Sequence, residues 1–252
     1  IADRLRAAGI KVALGGLHVS ALPGEASRHA AYVVVGAGAH VWPSGDDAPA
    51  RGGAPAIFRA ENYEPVDVAQ LPVPRYDLLQ DRSYNRYTVQ TTRGCPWRCE
   101  FCASTLMLQR PYRRRPVDHV ARDIRAIQQL DPHAFIEFAD DNTFVDKAWG
   151  KELCRALLPL GIKWFTETDV SVAEDAELLR LMRDAGCRQV LIGLESPSVG
   201  PLARLAPRAN RKARWADRYA TAIRTIQSHA ITVNACFILG LDGQTTDAIR
   251  SE

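Results

Sequence analysis

From Arg86 onward the 252-residue chain alternates short apolar runs with longer stretches of helical periodicity, and this rhythm constrains its fold more than any other feature. YTVQTT (87–92), AFIEFAD (134–140), IKWFTET (162–168), RQVLIGLES (188–196) and ITVNACFILGLDG (231–243) read as strands. VDHVARDIRAIQQL (117–130), DKAWGKELCRALLPL (146–160), AEDAELLRLMRDAG (173–186) and roughly RKARWADRYATAIRTIQSHA (211–230) read as helices, with Gly186 as a helix stop. Strands that are apolar throughout, each followed by a helix, are buried on both faces and pair in parallel. Five strands with four intervening helices predict an α/β architecture over 85–252, a parallel (β/α) barrel or an incomplete version of one.

Upstream, residues 1–42 run helix, strand (KVALGG, 11–16), helix (GEASRHA), strand (AYVVVGAG, 31–38), which predicts a parallel, doubly wound sheet. GAGAHV (36–41) lacks the third glycine of a dinucleotide loop and reads as a structural turn. Residues 43–84, Pro/Gly/Ala-rich and aperiodic, read as a linker. The chain opens at Ile1 inside a helical pattern and stops at TTDAIRSE, a helix opening, so a fragment of a longer polypeptide is expected.

A net charge of +3 gives no argument for nucleic acid or an acidic membrane surface. No apolar run reaches the roughly 20 residues of a membrane span, and no signal segment opens the chain. Six cysteines, three of them clustered, do not make a disulfide framework; a reducing, cytoplasmic setting is expected.

In such barrels, reactive groups lie at the carboxyl ends of the strands. The first strand leads to Cys95, Cys99 and Cys102, and the second to Asp140, Asp141 and Asn142. The third leads to Glu167, Thr168 and Asp169, the fourth to Gly193, Glu195 and Ser196, and the fifth to Gly240, Asp242 and Gly243. Loop polarity alone explains any one of these groups; five on one rim beside a cysteine cluster predict a site. Asp140 and Asp141 invite an acid–base reading, but polar packing around a bound cofactor is preferred. No residue is assigned a catalytic role. Arg113, Arg114 and Arg115 read as a solvated charged face, Cys187 and Cys236 as small core residues, and His18 as a surface or capping group.

The cysteines in TTRGCPWRCEFCAST admit three readings: structural zinc ligands, unremarkable thiols, or ligands to three irons of a [4Fe–4S] cluster. Structural zinc closes four positions, commonly with two cysteine pairs, and Cys154, Cys187 and Cys236 supply no second close pair. CPWRCEFC closely resembles the CxxxCxxC signature of the radical S-adenosylmethionine (SAM) superfamily. The resemblance implies that SAM chelates the fourth iron through its amino and carboxylate groups. Electron transfer from the cluster then cleaves SAM to a 5′-deoxyadenosyl radical. It places Phe101 near the adenine.

EFADDNTFVD (137–146), AGCRQVLIGLES (185–196), NACFILGLDGQT (234–245) and YRRRPVDHVARDI (112–124) resemble segments of the cobalamin-linked members. They imply cofactor contacts from Asp140, Asp141, Glu195, Ser196 and Gly240. IADRLRAAGIKVALGGLHVSALPGEA (1–26) resembles the later half of a cobalamin-binding Rossmann-like domain, with Gly15 and Gly16 beside the corrin or its nucleotide tail. Three departures stand out: the upstream half of that domain, with the histidine-bearing motif that some cobalamin domains use, is absent; GAGA (36–39) replaces a glycine–glutamate pair; and WFTETDVS lies where many relatives carry an arginine.

What the resemblance implies is a radical SAM enzyme with a [4Fe–4S] cluster, SAM and cobalamin, methylating an unactivated carbon. An electron donor such as flavodoxin or ferredoxin would serve it. A cyclase or rearranging enzyme that transfers no methyl group, and a non-catalytic zinc- or cluster-stabilised binding module, stay open beside it. Lipid, peptide and small natural product all remain as substrate classes.

Overall fold

The computed structural model of the chain describes residues 1–41, 55–63, 67–79, 84–97, 99, 101–102, 112–204 and 215–251. Much of the expected linker (43–54, 64–66 and 80–83) and residues 211–214 of the fourth predicted helix lie outside them. The chain divides into two compact units, Ile1–Leu71 and Pro72–Glu252.

In the first unit, β1 (Ala13–Leu14), β2 (Tyr32–Val35) and β3 (Ala56–Arg59) form a parallel sheet in that order. Helices α1 (Ala2–Ala7), α2 (Leu17–Ala21) and α3 (Pro23–Ala26) accompany it. Where one helix over GEASRHA was expected, two short helices meet at Leu22, and Pro23 opens the second at a position where its missing N–H costs nothing. The core is small: Val12, Val19, Ala26, Ala30 and Val33. Strand β3 is a correction to the linker over 43–84. Its four residues pair with β2 from Tyr32↔Ala56 to Val35↔Arg59, so the unit extends well past residue 42. An edge strand this short, with Ile57 exposed, carries too little periodicity to stand out from Pro/Gly-rich flanks.

The second unit contains β4 (Tyr87–Val89), β5 (Thr92–Arg93), β6 (Arg113–Arg114), β7 (Phe135–Phe138), β8 (Lys163–Thr168), β9 (Cys187–Glu195) and β10 (Thr232–Phe237). Its helices are α4 (Val117–Leu130), α5 (Lys147–Leu157), α6 (Ala176–Asp184), α7 (Val199–Arg204), α8 (Tyr219–Gln227) and α9 (Thr246–Ser251). Five strands form one parallel sheet in the order β10-β9-β8-β7-β4, which stays open among the described residues. This is the expected parallel α/β architecture. The first predicted strand differs: it leaves the sheet after Val89, and β5 pairs antiparallel with β6 instead. Helix α7 was not anticipated, and the fourth predicted helix resolves into a 3-10 turn (Ala216–Arg218) followed by α8.

Each helix buries one stripe. In α6, Leu178, Leu179, Leu181 and Met182 face the sheet, and Asp175 caps the first turn by accepting from the Leu178 N–H at 3.0 Å. Asp146 caps α5 in the same way through Trp149 N, also at 3.0 Å. These stripes meet Ile136 and Phe138 of β7, Trp164 of β8 and Val190, Ile192 and Leu194 of β9 in one core. By the period of two, Glu137, Phe165, Glu167, Gln189, Leu191 and Gly193 lie on the opposite sheet face.

The amino end of β9 is sterically exacting. Gly186 sits at φ +95°, and a Cβ there would stand 1.8 Å from the Ile162 carbonyl oxygen. Beside it the Trp164 indole N–H donates to Ala185 O at 2.8 Å, and its ring stacks on Phe138 with centroids 4.9 Å apart.

Candidate functional site

The sequence-predicted site residues of the second unit fall at or just beyond the carboxyl ends of the sheet strands. The cysteine segment leaves β4 through Gln90, Thr91 and Thr92, and its neck is closed by the β5–β6 ladder, Thr92↔Arg114 and Arg93↔Arg113. Two carboxylates beyond β7 hold this neck from below. Asp140, only 5% exposed, accepts through Oδ1 from the Thr91 N–H at 2.8 Å and the Thr92 N–H at 2.9 Å. Its Oδ2 accepts from the Thr91 hydroxyl and, at 2.7 Å, from the Thr143 hydroxyl. Thr143 Oγ1 in turn lies 2.6 Å from Thr166 Oγ1 of β8. Asp141 Oδ2 accepts from the Gly94 N–H at 3.1 Å, one residue before Cys95.

Burial pushes the Asp140 carboxyl up from its ordinary range, against hydrogen bonds from Thr91, Thr92 and Thr143 that pull it down. Burial likewise pushes the Cys95 thiol up to about 11; the Trp97 backbone opposes this, while Cys99, Asp141 and Cys102 add to it. A thiol that resists ionisation becomes a thiolate when a cationic metal group binds it. Among the described residues no three His, Cys, Asp or Glu side chains close into a shell for a single ion. The chemistry of the donors decides more: structural zinc closes four positions, commonly with two cysteine pairs, whereas three thiolates can each bind a separate iron of a cluster. Cys95, Cys99 and Cys102 therefore fit a cluster better than structural zinc.

Of the arginine run expected as a solvated face, Arg114 is exposed and Arg113 partly so, but Arg115 is not in solvent. Arg115 is 3% exposed; its Nη1 donates to Asp123 Oδ2 and to Gln90 O, each at 2.8 Å, and its own N–H donates to Thr91 O at 2.9 Å. Arg114 pairs with Asp146, the cap of α5. Next to them the Tyr112 hydroxyl donates to Thr143 O at 3.2 Å. Pro96, Tyr112, Arg114, Val145, Asp146 and Lys147 line an open cavity of about 660 Å³ beside the neck.

On the far side of the rim the backbone does more of the shaping. Glu195 ends β9 at φ 66°, a left-handed conformation rare for a residue with a side chain, and is 6% exposed. It coincides with a register shift between Cys236 and Phe237 of β10, and the Ile238 N–H donates to Glu195 O at 2.8 Å. Ser196 is fully buried, and its hydroxyl accepts from the Ser198 N–H at 3.1 Å. Gly240, at φ +90° with open space where a Cβ would be, begins a turn in which Gln244 Oε1 accepts from the Gly240 and Leu241 N–H groups, each at 2.9 Å. Phe101 is 36% exposed.

Between these sides, the half-buried Glu167 has its carboxyl held above the usual range by burial first, then by Asp141, Glu137 and Asp140. Arg86, on the same sheet face, pairs with Glu137 at 3.4 Å. In the first unit, Gly16 precedes α2 at φ 100°, and the Ser20 hydroxyl donates to Gly16 O and accepts from the Gly36 N–H, both at 2.8 Å. Sequence reasoning missed Thr91, Thr92, Thr143 and Thr166. For Thr91 and Thr92 the only signal was a threonine pair just ahead of the first cysteine; nothing in the sequence marked Thr143 or Thr166.

Residues 89–251 match the family profile described as Radical SAM superfamily. The chain is 26% identical over 256 residues to the bacteriochlorophyllide d C-12(1)-methyltransferase of Chlorobaculum tepidum, covering 100% of this chain and 55% of that one. It is 30% identical over 250 residues to an uncharacterized methyltransferase of Synechocystis, covering 96% of this chain and 46% of the other. The chain thus spans about half the length of these curated relatives. In fold it is similar to the radical SAM methyltransferase TsrM of Kitasatospora setae, solved with cobalamin and a [4Fe-4S] cluster bound. That likeness has a TM-score of 0.57 at 18% identity, over 66% of this chain and 33% of TsrM. No helix among the described residues is long and apolar enough to cross a membrane. With 89–251 matched to that profile and the cysteine loop at the carboxyl end of β4, the chain belongs to the radical SAM superfamily.

Proposed function

We propose that this chain carries the core of a cobalamin-dependent radical SAM methyltransferase acting on an unactivated carbon. Cys95, Cys99 and Cys102 hold three irons of a [4Fe–4S] cluster, and the fourth iron is left to SAM. One observation carries the reading: three cysteines, and no fourth beside them, stand on a loop whose neck is tied to the strand ends by Asp140 and Asp141. The methyltransferase names of the relatives and the cobalamin and cluster bound in TsrM support it.

When bound, these groups supply electron transfer to SAM and carriage of a methyl group; the protein supplies position and dryness. Phe101 and Gly240 flank the adenine, Gly240 offering backbone without a Cβ in the way. Glu195 and Ser196 face the ribose or aminoacyl end, and Asp141 shares the rim with them. In the first unit, Gly15 and Gly16 approach cobalamin through a backbone that Ser20 holds to Gly36. A flavodoxin or ferredoxin delivers the electron.

Anaerobic reconstitution tests this. The protein should take up iron and sulfide, show the visible absorption of an iron–sulfur cluster, and cleave SAM under a strong reductant. Cys95→Ala should abolish cluster absorption and SAM cleavage while leaving the thermal midpoint nearly unchanged. Zinc bound in place of iron, or full cluster absorption in Cys95→Ala, would overturn it.

A further inference from the structure

The Asp140 carboxylate is fully engaged from within the protein. Two peptide N–H groups meet one of its oxygens, and two hydroxyls meet the other. Thr143 donates its one hydroxyl proton to Asp140, so it accepts from Thr166, and the chain of bonds runs from β8 through Asp140 to the Thr91–Thr92 turn. That turn stands three residues ahead of Cys95. The Thr91 carbonyl is fixed as well, by the Arg115 N–H. Nothing is left on Asp140 to offer a ligand without breaking one of these bonds, and three of the four, from Thr91 N, Thr91 Oγ1 and Thr92 N, hold the start of the cysteine loop.

We propose that Asp140 is a positioning residue for the cluster: through the Thr91 and Thr92 peptide groups it sets where the cysteine loop begins, and it does not itself touch SAM. The proposal rests on the cluster reading above. Asp140→Ala leaves two buried N–H groups without an acceptor, and the loop start is free to shift. Asp140→Asn keeps the accepting oxygen for both N–H groups. Its amide donates to the two hydroxyls, which can turn to receive it. The asparagine is therefore the conservative rescue.

The test uses the full-length protein, reconstituted anaerobically and read without SAM. Asp140→Ala should lose about 10–100-fold in cluster affinity, the usual effect of removing a group that orients metal ligands. Its residual reduced cluster should give an altered electron paramagnetic resonance signal. Asp140→Asn should restore most of the iron and the native signal. In the metal-free protein, amide hydrogen exchange over 91–102 should quicken in Asp140→Ala while α4 exchange stays unchanged. Native iron content and signal in Asp140→Ala, with only SAM binding weakened, would overturn the proposal and make Asp140 a SAM ligand. Should Asp140→Ala fail to fold, Asp140→Asn decides, because it keeps the acceptor for both N–H groups and removes the charge. Native iron content and signal with unchanged SAM affinity support the clamp; lost iron with native helix content, or native iron with weakened SAM binding, overturns it. If the wild type takes up no iron, the cluster reading fails; the exchange measurement then judges the clamp separately.

Discussion

The two ends of the five-stranded sheet are built on different physics. At the amino end, position is enforced chiefly by volume: Gly186 lies against the Ile162 carbonyl, and Trp164 is fully buried beside it, with one hydrogen bond from its indole N–H to Ala185 O. At the carboxyl end, position is enforced by directed bonds: Asp140 gathers four donors, Asp141 holds Gly94, and Glu195 sits in a left-handed conformation. Close packing tolerates no change of shape but carries no chemistry. Hydrogen-bonded turns cost strain and burial of polar groups, and they present polar groups to a ligand. Barrel-type sheets separate stability from chemistry along the strand axis in this way. Substitutions at the two ends should therefore fail in different measurements.

The sharpest break is Gly186→Ala. A Cβ there would stand 1.8 Å from backbone oxygen, and φ +95° is strained for any side chain. The expected loss is about 3 kcal/mol or more of folding stability, read as a large fall in the urea midpoint. Any cluster that forms in the surviving folded fraction should keep its native spectrum. A stable Gly186→Ala protein with a damaged cluster would collapse the distinction between the two ends.

The same division explains what was legible in the sequence. The sheet strands were visible because Val190, Ile192 and Leu194, like Ile136 and Phe138, sit in unbroken apolar runs whose burial is a local property of the chain. Strands β5 and β6 were not, because Thr92–Arg93 and Arg113–Arg114 are polar pairs whose partner lies about twenty residues away. Charge counting placed Arg115 in solvent; only the fold reveals Asp123 and the Gln90 carbonyl waiting for it. The cysteine spacing announced a site, and the aspartates beyond β7 announced polarity. Which aspartate oxygen meets which amide depends on the return of the chain from residue 140 to residue 91, and no periodicity records that.

At the carboxyl end, Glu195→Asn separates strain from use. Asparagine tolerates the left-handed region better than glutamate, so folding stability should change by no more than about 1 kcal/mol in either direction. SAM affinity, measured by equilibrium dialysis against the reconstituted protein, should nonetheless fall about tenfold, the loss of roughly one charge-assisted hydrogen bond. Unchanged SAM affinity would remove Glu195 from the site and leave its backbone conformation as a purely structural corner.

Glu167 gives the smallest effect and the finest test, because it lies between the two regimes: half-buried on the sheet, yet beside the rim aspartates. Burial and the neighbouring Asp141, Glu137 and Asp140 raise its carboxyl above the ordinary value of 4.5. A raised acid binds its proton more tightly folded than unfolded, so its charge opposes folding above the raised value. That penalty is relieved as pH falls toward 4.5. Glu167→Gln should therefore stabilise the protein near neutrality, by less than about 1 kcal/mol because water screens a half-exposed carboxyl. The gain should shrink as the medium is acidified through the interval between the folded and unfolded values. Thermal midpoints of both proteins across that interval measure it directly. A gain that holds constant with pH would mean that glutamine packs better there and that the acidic neighbours exert no net repulsion; a loss at neutral pH would mean that the carboxylate is used by a partner on the rim.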